Sequence, residues 1–358
     1  MRRTPLIPLA IAATALLATA LPAQAVEAPP EVLADELMSA LSLAVAEDGT
    51  VFVAQNFTST ITKIAPGGEV SPFYADEGQR EVGALSVDGD VLTFATTGED
   101  GAKVYTLSPD PEGGYAQEQI ADLGAYEAAS NPDKSKTYGI VGLSKSCTKQ
   151  VPKGYRPHKG IKESHPYAST TVEGLTYVAD AGANAIWAIG NGVTSTVAVL
   201  PPTSIKITKQ KRKVLEVPKC TIGKTFRAEG VPTDVEVGPD GHLYVTSLPG
   251  GPEDPRMGAN GSVYRVELES GKTTKVESGL TSPTGLAVAP DGTRYVAMLF
   301  GGAVAVTPPG GPRSVFDEVA APGDVEYADG DVYVTESGFG PTGPAPVGTV
   351  LKYVLGVG

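Results

Sequence analysis

Asp240-Gly241-His242-Leu243-Tyr244-Val245-Thr246 is one of six copies of a short pattern, an acidic residue and a glycine followed by an alternating apolar run, in this 358-residue chain. Asp-Gly between two such runs predicts a β-hairpin, because a type I′ turn needs a positive φ at both central residues. The glycines of the six copies are Gly49, Gly89, Gly174, Gly241, Gly292 and Gly330, spaced by 40, 85, 67, 51 and 38 residues. A period of about 40 is that of a four-stranded propeller blade. The sequence therefore predicts an all-β, six-bladed β-propeller.

The last blade needs a strand from the other end of the chain. Its three runs, 324–327, 331–335 and 349–355, are followed by the chain end, whereas Glu31-Val32-Leu33-Ala34 supplies an unassigned extended run. Pairing these segments removes exposed sheet edges. We therefore expect an N-terminal strand to complete the last blade.

The first 25 residues have the pattern of a signal peptide. Arg2 and Arg3 precede an apolar stretch, and Ala23-Gln24-Ala25 is typical of a cleavage site. The alternative is a retained membrane helix, but no later run approaches the ~18 apolar residues that a span requires. We expect cleavage near Ala25, a single domain over 26–358 and a secreted or envelope-located monomer without a transmembrane segment.

Two long intervals between hairpins predict insertions, near 126–165 and 201–229. Each contains one cysteine of the pair Cys147 and Cys220. In an oxidising compartment such a pair usually forms a disulfide, which would join the two insertions.

The insertions are basic in an otherwise acidic chain. Between Lys134 and Arg227 there are 16 basic and 4 acidic residues, although the whole chain has a net charge of −13. The densest group is Lys206, Lys209, Lys211, Arg212 and Lys213. It is a candidate polyanion patch; alternatively these side chains neutralise the acidic propeller or are simply solvated. Nucleic acid is not expected as a partner, because aromatic stacking platforms are missing.

Familiar catalytic motifs are missing from the sequence, which has neither H-E-x-x-H nor G-x-S-x-G. In a propeller the innermost strand of each blade lines a central channel. The candidates that remain are polar residues just ahead of these inner strands: His165, Asp234 and Asp324. They could converge at the channel mouth to hold a divalent cation or act as acid and base, or they could satisfy backbone groups. Glu336, after a second-strand run, is a further ligand-binding candidate.

Two blocks of sequence carry a family resemblance. They are Ala125-Tyr126-Glu127-Ala128-Ala129-Ser130-Asn131-Pro132-Asp133 and Tyr177-Val178-Ala179-Asp180-Ala181-Gly182-Ala183-Asn184-Ala185. With His165-Pro166-Tyr167 and Val231-Pro232-Thr233, they make the chain resemble the ScyD/ScyE family of exported six-bladed propellers, which is related to the NHL and SMP-30/gluconolactonase-like group. The resemblance adds Asn131 to the ligand-binding candidates.

The resemblance implies an exported propeller of unassigned activity. Lactonase relatives bind a divalent metal through Glu, Asn and Asp, but His165 stands where the resembling family usually has Asn, and Asp234 where it usually has Gly. We therefore favour a non-catalytic propeller that binds a small molecule or an envelope component. The alternatives are a metal-dependent lactonase-like hydrolase that uses the channel, with His165, Asp234 and Asp324 as its metal ligands, and an envelope adaptor that binds anionic polymer through its basic insertions.

Overall fold

The computed structural model describes residues 28–340, 343–344 and 347–356. The segment on which the signal-peptide prediction rests lies outside them. No helix in this part of the chain is long and apolar enough to cross a membrane.

In the described part of the chain the strands, numbered in chain order, form six four-stranded antiparallel sheets, here called blades 1 to 6, and two smaller sheets. Strand β1 is Glu31–Leu37; blade 1 is β2–β5 (Ala40–Val45, Val51–Gln55, Thr60–Ile64, Val70–Ala75); blade 2 is β6–β9 (Glu81–Asp88, Val91–Gly98, Gly101–Pro109, Tyr115–Asp122). After β10 (Gly139–Val141), blade 3 is β11–β14 (Pro166–Val172, Leu175–Asp180, Ala185–Gly190, Val193–Val199). After β15 (Thr203–Lys206) and β16 (Thr225–Ala228), blade 4 is β17–β20 (Pro232–Val237, Leu243–Ser247, Gly261–Val266, Thr273–Leu280). Blade 5 is β21–β24 (Pro283–Val288, Arg294–Met298, Ala303–Thr307, Ser314–Asp317). The remaining strands are β25 (Pro322–Ala328), β26 (Asp331–Glu336), β27 (Phe339–Gly340), β28 (Gly343–Pro344) and β29 (Gly348–Val354).

The blades are arranged radially. Their first strands, β2, β6, β11, β17, β21 and β25, contact one another in a closed cycle in which β25 meets β2. Blade 6 has the order β25-β26-β29-β1, and Glu31 in β1 lies opposite Lys352 in β29. The predicted all-β propeller, closed by an N-terminal strand, is confirmed.

The core consists of apolar layers between neighbouring blades. In β3, Val51 and Val53 pack toward blade 6, whereas Phe52 and Ala54 pack toward blade 2. Successive side chains of a strand point to opposite faces of its sheet. A strand whose blade packs against a neighbouring blade on each side is therefore apolar on both faces. Burying one such side chain contributes about 1.5–3 kcal/mol.

The Asp/Glu-Gly turns match the prediction in position but only partly in type. All six glycines have positive φ, from 56° at Gly89 to 89° at Gly330. The preceding acidic residue has positive φ only at Glu173 and Asp329. A type I′ turn requires both, so the predicted turn type is wrong at the other four hairpins, where the glycine alone adopts the left-handed conformation.

The two insertions form one compact layer, here called the insert unit (residues 123–165 and 200–231). It contains α1 (Leu123–Ser130), α2 (Lys145–Gln150), α3 (Lys209–Val214) and a sheet of order β10-β16-β15. Ile140, Ile205 and Phe226 belong to its own apolar core. The predicted disulfide between Cys147 and Cys220 is present, with their Cα atoms 5.9 Å apart.

Candidate functional site

The insert unit lies on the edge of the propeller where the inner strands begin. Each insertion runs from the fourth strand of one blade to the first strand of the next. In an antiparallel four-stranded blade, the end of the fourth strand and the start of the first share an edge. His165, immediately before β11, is therefore on the same edge as the insert unit, which we call the channel-mouth edge.

His165 pairs with a carboxylate that the sequence did not single out. Its Nε2 lies 3.0 Å from Glu81 Oε2, and the two side chains are 36% and 19% exposed. Burial favours the neutral imidazole, but the hydrogen bond and charge of Glu81 outweigh it and raise the pKa of His165. Burial likewise opposes ionisation of Glu81, yet the interaction with His165 lowers the pKa of that carboxyl. The pair is an ion pair when His165 is protonated.

The orientation of His165 is set by the neighbouring Asp180. The backbone N–H of His165 donates to Asp180 Oδ1 over 2.7 Å, and Trp187 Nε1 donates to Asp180 Oδ2 over 2.8 Å. Asp180, in β12, thus fastens the residue just before β11 to β12 and β13 of the same blade.

Asp234 and Asp324 connect each inner strand to the next. Asp324 Oδ2 accepts the backbone N–H of Leu43 over 2.8 Å, and Asp234 Oδ2 accepts that of Leu286 over 2.5 Å. The second oxygen of each accepts the N–H of the following residue, Val325 or Val235. Both side chains are buried. The aspartates therefore satisfy backbone donors, and the Asp324 bond joins the last blade to the first.

Two further carboxyls lie along the same strands. Glu236 and Glu326 follow Asp234 and Asp324 by two residues, so each pair points to the same side of its strand. Burial is the main cause of a raised pKa in all four carboxyls, reinforced in Asp234 by the charge of Asp324. The repeated tripeptide Asp-Val-Glu was the signal that could have identified Glu236 and Glu326.

Tyr167 faces the acidic channel from blade 3. Burial raises the pKa of its phenol, and the charges of Asp324 and Glu81 raise it further. A half-buried phenol near carboxyls is a hydrogen-bond donor rather than a base. Tyr167 therefore offers a neutral hydrogen-bond donor to a ligand in the channel.

The structure does not assemble the predicted metal ligands. Among the residues it describes, no three His, Cys, Asp or Glu side chains come together in a way that could hold a metal ion. His165 contacts Glu81, whereas Asp234 and Asp324 bind backbone donors. The structure therefore does not bring His165, Asp234 and Asp324 together as a three-ligand site, because these other partners orient the side chains.

The two remaining candidates also have local partners. Asn131 ends α1, and its Nδ2 lies 3.4 Å from the Gly160 carbonyl oxygen. Glu336 accepts from the hydroxyl of Thr349 over 2.5 Å and from the Ala320 N–H over 3.3 Å. The Glu336 carboxylate therefore holds blade 6 together.

The basic patch lies on the insert unit around α3. Lys206, Lys209 and Lys213 are exposed, whereas Lys211 and Arg212 are half-buried. Arg212 donates to the Val217 carbonyl over 2.9 Å. The exposed lysines are the part of the patch that a polymer could reach.

The basic side chains of the insert unit make no ion pairs with the described part of the propeller. None of the 16 Lys and Arg side chains between Lys134 and Arg227 makes an ion pair with any residue that the structure describes. Where partners occur they are neutral, as when Lys159 donates to the Ser135 carbonyl over 3.0 Å. The expected alternative of neutralisation against the acidic propeller has no ion pair to support it.

Comparisons with known proteins agree with the fold. A family model described as SMP-30/Gluconolactonase/LRE-like region matches residues 170–298, less than half of the chain. No curated protein matches.

Several solved structures resemble the chain at low sequence identity. A PQQ-bound aldose sugar dehydrogenase from Streptomyces coelicolor has 11% identity and a TM-score of 0.56, and the match covers 93% of this chain and 100% of the dehydrogenase chain. A gluconolactonase from Xanthomonas campestris has 12% identity and a TM-score of 0.54, covering 94% and 99%. A catalytically inactive virginiamycin B lyase from Staphylococcus aureus has 12% identity and a TM-score of 0.52, covering 91% and 98%. The chain thus shares a propeller fold with these proteins, and its region 170–298 is similar to the SMP-30/gluconolactonase group.

Proposed function

We propose that this chain is an exported, non-catalytic propeller of the ScyD/ScyE type that binds an anionic polymer of the cell envelope through its insert unit. The observation that carries the proposal is the set of basic side chains in this unit that lack ion pairs within the described structure. Clustered basic charge on one surface attracts a polyanion and accelerates its association. The insert unit presents this charge on a stable platform with its own core and a disulfide.

The channel supports a binding role more than a hydrolytic one. A lactonase-like centre needs carboxylates free to bind a metal or to move a proton. Asp234 and Asp324 instead accept two backbone hydrogen bonds each. Lactone hydrolysis that requires added Ca²⁺, Mn²⁺ or Zn²⁺ and is lost in Asp324→Asn would contradict this reading.

Export is part of the proposal. The disulfide is compatible with an oxidising compartment. The anionic polymers that a protein meets there carry phosphate or carboxylate groups, and lysine side chains bind both as point charges. The ligand class we propose is therefore a phosphate- or carboxylate-bearing envelope polymer.

Co-sedimentation with isolated cell envelope tests the proposal. The variant pair Lys209→Gln and Lys213→Gln removes two exposed charges from α3, and the control pair Lys272→Gln and Lys275→Gln removes the same net charge from blade 4. We expect the α3 variant to lose binding and the control to retain it. Equal retention by both would refute a role for the α3 lysines, and equal loss would show that only net charge matters.

A further inference from the structure

A second group of polar side chains lies behind the channel mouth, where α1 meets blade 3. It consists of Glu127, Asn131, Asp133 and Asn184. Glu127, Asp133 and Asn184 are 1%, 0% and 2% exposed. Asn131 is the C-cap residue of α1, and Glu127 lies in the last turn of that helix.

Five oxygen atoms of this group are buried without a hydrogen-bond partner among the described residues. They are both carboxylate oxygens of Glu127, Asp133 Oδ1, Asn131 Oδ1 and Asn184 Oδ1. Buried polar atoms are nearly always paired, and a buried carboxylate without a partner costs several kcal/mol. So many orphaned acceptors in one place indicate a missing positive partner.

Hydrogen bonds link Asn184 to Asp133 through their side chains and Asn131 to Glu127 through the backbone. Asn184 Nδ2 donates to Asp133 Oδ2 over 3.1 Å, and the Tyr138 hydroxyl donates to the same oxygen over 3.0 Å. The backbone N–H of Asn131 donates to the Glu127 carbonyl over 2.9 Å. The two pairs meet at Gly160, whose carbonyl oxygen lies 3.4 Å from Asn131 Nδ2 and which packs against Asp133 Oδ1.

The side chain of Asp133 fits only because residue 160 is a glycine. A Cβ added to Gly160 would lie 1.7 Å from Asp133 Oδ1. Lys162, the basic residue that acts on Glu127, is itself exposed and donates to the Ala128 carbonyl rather than to the carboxylate. No side chain of the described structure supplies the positive partner.

We propose that Glu127, Asn131, Asp133 and Asn184 bind a calcium ion between α1 and blade 3. All five free atoms are oxygens, the ligands that Ca²⁺ takes in irregular sites, whereas zinc prefers nitrogen and sulfur. The two carboxylates balance the charge of a divalent cation. The ion would fasten the insert unit to the propeller, because Asn184 belongs to blade 3 and the other three residues to the insert unit.

The two sequence blocks that carry the family resemblance meet at this site. One contains Glu127, Asn131 and Asp133, and the other contains Asn184. The site is separate from the channel candidates His165, Asp234 and Asp324, and it does not depend on the polymer-binding proposal.

Calcium titration of the full chain, stripped with a chelator, tests the proposal. Calorimetry should show one Ca²⁺ bound per chain, and Glu127→Gln should weaken binding at least about tenfold, a loss that even outer-shell changes produce. Glu163→Gln removes an exposed carboxylate of the same insert unit and should bind Ca²⁺ like the parent. Asn131→Gly keeps the positive φ of 38° and removes one oxygen, so it should also bind more weakly.

A spectroscopic readout locates the ion. Trp187 is the single tryptophan of the chain, and its indole N–H is bonded to Asp180, whose charge also acts on Glu127. Bound Tb³⁺ should therefore luminesce on excitation of tryptophan, and Ca²⁺ should displace it. In chelator, Glu127→Gln should melt at or above the parent's temperature, and with Ca²⁺ the order should reverse. No calcium heat and no melting shift in the parent, or equal calcium binding by Glu127→Gln and Glu163→Gln, would overturn the assignment.

Discussion

Replacing Asp324 by Asn and by Ala separates its two structural effects. Both changes remove a buried charge, but only Asn keeps an oxygen that can accept the Leu43 N–H at the junction of blade 6 and blade 1. An unpaired buried donor costs about 1–3 kcal/mol. We therefore expect Asp324→Ala to be less stable than Asp324→Asn by about that amount.

The pH dependence of the same variants tests the buried charge. Burial raises the pKa of Asp324 from 3.8 to about 7. A rise of that size corresponds to on the order of 4 kcal/mol. Because the folded pKa is raised, the protonated acid stabilises the fold below the unfolded pKa, and this stabilisation is lost as the pH rises through the folded pKa. The parent should therefore lose stability relative to Asp324→Asn between about pH 4 and pH 7.

Urea unfolding followed by circular dichroism measures both effects. Asp110→Asn, at an exposed turn, removes one charge without touching the channel and should leave the pH profile of the parent unchanged. Equal stability of the Asn and Ala variants would show that the Leu43 bond contributes nothing. A parent and an Asp324→Asn variant with parallel pH profiles would refute the buried-charge argument.

Two further predictions concern the channel-mouth edge. Replacing both Cys147 and Cys220 by Ser should lower stability by up to about 4 kcal/mol, because the bridge closes a loop of 73 residues, and limited proteolysis should then cut first in the insert unit. Unchanged stability and no early cleavage in the insert unit of this variant would show that the apolar core alone holds the unit together. His165→Gln should lower the free energy of unfolding by about 1 kcal/mol or less, mainly between pH 4.5 and 6.5, the usual pKa values of Glu and His. The raised pKa of His165 gives stability that is lost as the pH rises. The lowered pKa of Glu81 gives stability that is lost as the pH falls. Melting temperatures across that range check this, and a cost that grows above neutral pH would contradict the ion pair.

The repeat could be predicted from sequence because it depends on local chemistry. Acidic residue–glycine pairs, alternation at period two and an unpaired strand at each chain end can be read from one sequence, and they predict the propeller and its closure. The pair of cysteines predicts the disulfide. The turn type was only partly predictable, since the length of the loop and the place of the glycine within it decide whether the preceding residue also needs a positive φ.

The side-chain partners were not predictable in the same way. His165 lies just ahead of an inner strand as predicted, whereas Asp234 and Asp324 lie within β17 and β25. The spacing could not show that Glu81 lies beside His165 or that the aspartates accept backbone N–H groups of the next blade. The group around Glu127 joins residues 51 positions apart, Asp133 and Asn184. Such contacts depend on how the insert unit packs, which no local pattern determines.

Salt dependence of polymer binding tests the central claim most directly. For an electrostatic contact, the logarithm of affinity falls linearly with the logarithm of salt concentration, and each basic side chain in contact adds roughly one to the slope. For a purified phosphate-bearing envelope polymer, we expect the slope to decrease by about two in the Lys209→Gln, Lys213→Gln variant and to stay unchanged in the Lys272→Gln, Lys275→Gln control. A parent whose binding is insensitive to salt, or an α3 variant with the parent's slope, would contradict the assignment of the insert unit as a polyanion-binding surface.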